Sequence, residues 1–207
     1  MKQITIVDYG SGNVLSAQQS FLKVAKDNNI KAKVEISNNL NVIRNSSHIV
    51  LPGQGAFSSC MSGLKKTKGL VEELREFAII KKKPFLGICV GMQMLAINSV
   101  ENGLHTGLGW IDGYIKPLPN TNLKMPHMGW NIVKPVNKNQ LIQDPSDYYF
   151  VHSYYFECQN KENILAESQH GINFASIIGK ENIYGVQFHP EKSSSQGLNL
   201  IKNFLIN

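Results

Sequence analysis

Cysteine is scarce: Cys60, Cys89 and Cys158 are the only three in 207 residues. They are odd in number, widely spaced and free of any C-x-x-C pairing, which excludes a disulfide framework and a zinc knuckle. The six histidines show no H-x₃-H or H-E-x-x-H spacing, so neither a metal nor another cofactor is expected. Long apolar runs are missing too. None approaches the roughly 18 residues of a membrane span, and the apolar stretch in MKQITIVDYG is too brief for a secretory signal. No membrane association is expected, and a reducing cytoplasm is the natural compartment. Aromatic residues do not interleave the basic runs. The net charge of +6 comes from 21 basic and 15 acidic residues, but Lys65, Lys66, Lys68 and Lys81 to Lys83 flank a helix-like segment as a solvated face would. No nucleic-acid binding is expected.

What is present describes a globular protein. Apolar residues at 42 % and charged residues at 17 % exclude a disordered or coiled-coil chain. A single domain spanning residues 1–207 is expected, since chains of this size bury roughly 70 % of their extended surface. Ile4 to Val7 is a β-branched run ending at Asp8-Tyr9-Gly10, followed by a helical pattern with Val14, Ala17, Phe21, Val24 and Ala25 on one face. Lys33 to Ile36 and His48 to Leu51 repeat the strand signal. Leu70, Leu74, Phe77 and Ala78 mark a helix that must stop before Pro84. This alternation predicts an α/β fold with a mostly parallel central sheet and covering helices.

Phe85 to Ile88 reads as a further strand, broken by a turn around Gly87 and followed by a helix over Met92 to Ile97. Beyond Gly103, glycine, proline and aromatic punctuation predicts additional, more antiparallel strands near Tyr114 to Leu118, Trp130 to Lys134, Tyr148 to Phe156 and Ile183 to Phe188. Leu198, Ile201, Phe204 and Leu205 have the spacing of a final amphipathic helix.

The segment PFLGICVGMQ sets Cys89 between glycines two residues away on each side, a G-x-S-x-G arrangement with sulfur for oxygen. Gly87 and Gly91 leave room for a sharp turn that lifts the thiol out of the sheet at a helix N-terminus, where thiolate is favoured. Taken alone, the motif fits equally a buried cysteine in a glycine turn. In GVQFHPE, His189 and Glu191 lie two residues apart, so in extended chain they face the same side. Pro190 stiffens the link. His189 can then take the Cys89 proton while Glu191 fixes the tautomer, and the two motifs together favour a catalytic triad. A thiolate attacking an amide also needs oxyanion donors. Candidates are the backbone N–H of Val90 and the loop LPGQGAF, where Gln54 lies between Gly53 and Gly55 and a peptide flip is sterically cheap.

With GICVG and FHPE about a hundred residues apart and a PGxG loop ahead of both, the chain resembles the class I, triad-type glutamine amidotransferases. DYGSGN, PGQGAF, PHMGWN and YFVHSYYF make it similar to the branch of that family that serves histidine biosynthesis, and the matching segments run from Asp8 to the C-terminal helix. The resemblance implies a flavodoxin-like α/β domain that hydrolyses glutamine to glutamate and ammonia through a thioester on Cys89. It further implies a (β/α)₈-barrel cyclase partner in a heterodimer that receives the ammonia. By motif, Gly53, Gly55, Gln93, Ser153 and Tyr154 would contact the glutamine, and Asn13, Trp130 and Asn131 would lie at the partner face. Gln54 and Val90 stand where valine and leucine are common in the family; both positions would act through the backbone. Rival readings are an amidotransferase subunit of another synthase, against which DYGSGN and PHMGWN argue, a thiol hydrolase on the same fold, and a non-catalytic module. The intact triad speaks against the last.

Overall fold

The structure, a computed structural model, describes residues 1–120 and 122–206. β1 (Lys2–Val7) leads into α1 (Val14–Asp27), then β2 (Ala32–Ser37), α2 (Leu40–Asn45), β3 (His48–Gly53), α3 (Phe57–Lys66) and α4 (Leu70–Arg75), which continues as a π-helical turn over Glu76–Ile80. β4 (Phe85–Cys89) and the single turn α5 (Val90–Gln93) follow. The second half holds β5 (Asn98–Ser99), β6 (His105–Thr106), β7 (Gly113–Pro117), β8 (His127–Pro135), β9 (Ser146–His152), β10 (Tyr154–Cys158), β11 (Ile164–His170), β12 (Ile172–Lys180), β13 (Ile183–Val186) and α6 (Ser194–Ile206).

Nine strands form the main sheet in the order β2-β1-β3-β4-β13-β12-β11-β8-β9. Neighbours from β2 to β13 are parallel and those from β13 to β9 antiparallel. β3 and β4 are buried along their whole length, as central parallel strands covered on both faces must be. The Asn13 side chain accepts from Ser16 N at 3.3 Å and caps α1, whose Ala17, Phe21, Val24 and Ala25 are buried. α1 packs on α6, with Phe21 edge-on to Phe204, and α4 packs against α2 and α3. A smaller sheet, β10-β7-β5-β6, joins the same core. No described helix is long and apolar enough to cross a membrane.

The chain departs from the sequence reading at three places. β4 passes straight through Gly87 and turns only at Cys89. The helix expected over Met92 to Ile97 is instead the single turn Val90–Gln93: Leu95 N and Ala96 N reach only three residues back, to Met92 O at 3.1 Å and Gln93 O at 3.0 Å, and Ile97 N donates to Gly113 O at 3.0 Å instead of to Gln93 O. The carbonyls that follow are taken by tertiary donors. Met94 O accepts from Leu108 N at 2.8 Å, Leu95 O from Trp110 N at 2.9 Å and Ala96 O from Gly109 N at 2.9 Å. Tyr148 to Phe156 is two strands parted at Ser153, β9 in the large sheet and β10 in the small one. α2, α3, β5, β6, β11 and β12 add to the elements read from the sequence. β11 carries bulges near Ala166 that interrupt its period of two.

Candidate active site

Three parallel strands converge on one point at the carboxyl edge of the sheet. In register, Gly53 at the end of β3 lies beside Cys89 at the end of β4, while Val186 of β13 lies beside Ile88. Open α/β sheets place their ligand sites at such an edge. Cys89 has φ 55° and ψ −113°, a conformation L-residues avoid at a cost of about 1–3 kcal/mol. Glycines permit the close packing that holds it there. A β-carbon on Gly91 would overlap the Leu51 carbonyl, one on Gly53 would lie 2.6 Å from Gly91 N, and one on Gly87 2.5 Å from Gly91 O. Because α5 is a single turn, its dipole at Cys89 is weak. The Gln187 amide does donate toward the sulfur, Nε2 to Sγ 3.8 Å.

His189 follows β13, and its Nδ1 lies 2.8 Å from Glu191 Oε1 with both side chains buried. The contact arises differently from the extended geometry read in the sequence. His189 is extended, but Pro190–Lys192 is a 3-10 turn that starts on the proline and folds the carboxylate back under the ring. The backbone around the ring is pinned as well: His189 N donates to Tyr149 O at 2.9 Å and Ser193 Oγ to His189 O at 2.6 Å. With Nδ1–H donating to the carboxylate, Nε2 is the basic nitrogen of the neutral ring, and it has no hydrogen-bond partner. Burial alone would lower the imidazole pKa, but neighbouring Cys89 and Glu191 outweigh it and raise it to about 10.

Cys89 and His189 open into one cavity of about 360 Å³, whose walls include Gln54, Gly55, Val90, Gln93, Ser153 and Tyr154. Gly53 stands behind that wall, packed on Val90 and Gly91, and Glu191 stands behind His189. The Gln93 amide is buried and faces inward, donating to Tyr154 O at 3.1 Å and Gln187 Oε1 at 3.0 Å. The wall also contains Pro126, Val151 and His152, which lie within PHMGWN and YFVHSYYF but were given no role there, and Glu101, which lies in no motif read from the sequence. Glu101 Oε2 accepts from Phe57 N, the first residue of α3, at 2.7 Å across 44 positions. Nothing local in the sequence reports such a contact. Gln187 had a usable signal, since it precedes His189 by two positions at the end of a strand. The Gln54 carbonyl is held by the Cys60 thiol at 3.4 Å, and Tyr9 Oη donates to Pro52 O at 2.6 Å, so the loop after β3 is anchored from beneath.

Residues 5–207 match the family described as glutamine amidotransferase class-I. The chain belongs to that family. The imidazole glycerol phosphate synthase subunit HisH of Pelagibacter ubique is 47 % identical, with 98 % of each chain covered. The subunit of the same name from Rhodospirillum rubrum is 42 % identical, again with 98 % of each covered. A crystal structure of a glutamine amidotransferase superposes with a TM-score of 0.73 at 17 % identity, covering 98 % of this chain and 97 % of that one, a likeness of fold.

In this amidotransferase the other two cysteines do not line the Cys89 cavity. Burial pushes the Cys158 thiol up to about 12 and raises Cys60 as well, which disfavours the nucleophilic thiolate at both. Among the described residues no group of three or more His, Cys, Asp or Glu side chains is placed to hold a metal. Trp130 is 55 % exposed on β8, on the same strand face as exposed Met128 and Ile132. Asn131, its neighbour, turns the other way: Nδ2 lies 3.1 Å from His127 Nε2 and donates to Gln169 O at 2.9 Å. The Asn13 side chain is engaged as the α1 cap.

Proposed function

We propose that this chain is the glutaminase subunit of an imidazole glycerol phosphate synthase. It hydrolyses glutamine and passes ammonia to a (β/α)₈-barrel cyclase subunit, which forms imidazole glycerol phosphate and aminoimidazole carboxamide ribonucleotide in histidine biosynthesis. The observation that carries the chemistry is the shared cavity of Cys89 and His189, with Nε2 of the imidazole free and Nδ1 fixed by Glu191. His189 Nε2 takes the Cys89 proton, and the thiolate attacks the γ-carboxamide carbon. The oxyanion is met by backbone N–H groups of Val90 and Gln54. The imidazolium returns its proton to the amide nitrogen as the C–N bond breaks, releasing ammonia and leaving a γ-glutamyl thioester. Water, deprotonated by His189, then attacks the thioester to give glutamate and restore the thiol. Gly53, Gly55, Gln93, Ser153 and Tyr154 shape the glutamine pocket.

Glu101 adds to this reading. Among the described residues it is the one carboxylate on the cavity wall, a natural partner for the α-ammonium of a free amino acid. A cavity of this size with an acidic residue on its wall suits a single amino acid better than a peptide. The full-length likeness to HisH subunits supports the pathway and a cytoplasmic heterodimer, in which the chain acts as a single amidotransferase domain. Trp130, Asn131 and Asn13 are proposed to face the cyclase, with exposed Trp130 as the anchor. Glutamate release from glutamine by the chain, alone and paired with the cyclase and its nucleotide ligand, tests the reading. Cys89-dependent turnover stimulated by the pair is expected. A folded chain that no competent cyclase stimulates would assign it to another synthase.

A further inference from the structure

Two buried histidines outside the triad form a hydrogen-bonded chain with one allowed direction. His152 Nδ1 lies 2.8 Å from the Tyr154 carbonyl, which can only accept, so Nδ1 carries the proton. His152 Nε2 lies 2.8 Å from His127 Nδ1 and must therefore accept from it in the neutral ring. His127 Nε2 is then the acceptor for the Asn131 amide at 3.1 Å, whose nitrogen is identified by its second bond to Gln169 O at 2.9 Å. Every ring nitrogen is satisfied, with both rings neutral. The titratable groups that act on the two rings are imidazoles: His170 from β11 stacks on His127 at 4.2 Å, and His189 shares the cavity wall with His152. Phe150 and Phe174 close the rest of the cluster. Burial, followed by these neighbouring imidazoles, lowers His127 to about 4, and His152, despite its bond to Tyr154, to about 3.

The chain of bonds continues to the nucleophile. The Tyr154 carbonyl also accepts from Gln93 Nε2 at 3.1 Å, Gln93 donates to Gln187 Oε1 at 3.0 Å, and Gln187 Nε2 reaches Cys89 Sγ at 3.8 Å. At its other end, Asn131 sits beside exposed Trp130 on β8. We propose that Asn131, His127 and His152 are positioning residues of a fixed-tautomer relay that sets the Tyr154 carbonyl, Gln93, Gln187 and hence the Cys89 sulfur. The relay joins the outer strand β8 to the nucleophile, and it rests on the reading of Cys89 as the glutaminase nucleophile.

Packing and relay make opposite predictions at His127, which separates them. Phenylalanine matches the ring's volume and its aromatic surroundings but offers no donor. Asparagine leaves a void but keeps an N–H near the place of Nδ1. In the chain paired with the cyclase, His127→Phe should lower kcat for glutamine about tenfold or more while retaining the higher Tm, whereas His127→Asn should lie within about threefold of native kcat despite a lower Tm. Cys89→Ala is measured alongside. If it is inactive and His127→Phe turns over as fast as His127→Asn, the relay is wrong and the nucleophile stands; if Cys89→Ala turns over, the parent reading is wrong. Should either His127 variant fail to fold, nitrogen-15 NMR of the native chain decides. Nδ1–H neutral rings at His127 and His152 from pH 5.5 to 8, a window fixed by an ordinary imidazole pKa of about 6.5, support the relay. An Nε2–H tautomer at His152, or titration of either ring in that window, overturns it.

Discussion

Gly53→Ala tests whether close backbone packing sets the reacting geometry. The new methyl would lie 2.6 Å from Gly91 N and 2.9 Å from both the Val90 carbonyl carbon and the Val90 β-carbon. Ordinary contact begins at 3.4 Å, so the start of α5 must retreat by about 0.8 Å, and flexible side chains cannot absorb the shift because two of the three atoms are backbone. Overpacking of this kind costs about 1–3 kcal/mol of stability. The displaced atoms belong to Val90 itself and to the peptide bond after it, two or three bonds from the Val90 N–H proposed as oxyanion donor, and a misplacement of that donor near 1 Å can cost about a hundredfold in rate, roughly 2.7 kcal/mol. Steady-state glutaminase kinetics of the paired enzyme should therefore show kcat reduced about a hundredfold with KM altered much less, while thermal unfolding shows a folded protein. Gly53→Ala with native kcat and a native Tm would refute the packing account of the Cys89 turn.

Glu191→Gln keeps the size of the group behind His189 but removes its charge, so the imidazolium loses its support and kcat should fall about 10²- to 10⁴-fold with KM little changed. A variant within threefold of native would remove Glu191 from the triad. Stability should depend on pH on both sides of neutrality. His48, buried beside Lys2, is lowered to about 4, joining His127 at about 4 and His152 at about 3. The stability that these neutral rings contribute is fully present above an unfolded pKa of about 6.5 and is lost as pH falls toward 4. His189, raised to about 10, contributes stability that is complete below about pH 6.5 and is lost as pH rises through 10. Thermal scans should show a marked fall in Tm between pH 6.5 and 4.5 and an alkaline decline that flattens in His189→Ala; a Tm constant across the acid range would contradict the burial of the three neutral rings. Trp130→Ala should weaken cyclase binding by about 2 kcal/mol, roughly thirtyfold by calorimetry, without altering Tm, and an unchanged affinity would place the partner elsewhere.

The residues legible in the sequence are those whose chemistry is local. Gly87, Cys89 and Gly91 report a tight turn because three glycine-spaced positions suffice to make one, and His189 with Glu191 reports a hydrogen-bonded pair because two residues and a proline build it. Even there the local geometry differed, since the carboxylate is brought back by a 3-10 turn. Contacts made across the fold stayed hidden. Glu101 reaches Phe57 over 44 positions, and Gln187 meets Gln93 over 94. The length of α5 was illegible for the same reason: Met94 to Ile97 are apolar enough for a helix, yet Ile97 N pairs with Gly113 O, 16 positions on, and the carbonyls of Met94 to Ala96 pair with residues 108–110. Asn131 shows the limit of motif matching. It sits next to Trp130 in the chain, and the alternation of β8 turns its side chain to the opposite face, into the histidine pair.

The central claim, that Cys89 carries the acyl group, is tested most directly by mixing the paired enzyme with glutamine, quenching in acid during turnover and mapping the thioester by mass spectrometry. A γ-glutamyl adduct on the peptide containing Cys89, absent from Cys89→Ala, is the predicted result. An adduct on Cys60 or Cys158, or continued turnover in Cys89→Ala, would contradict it.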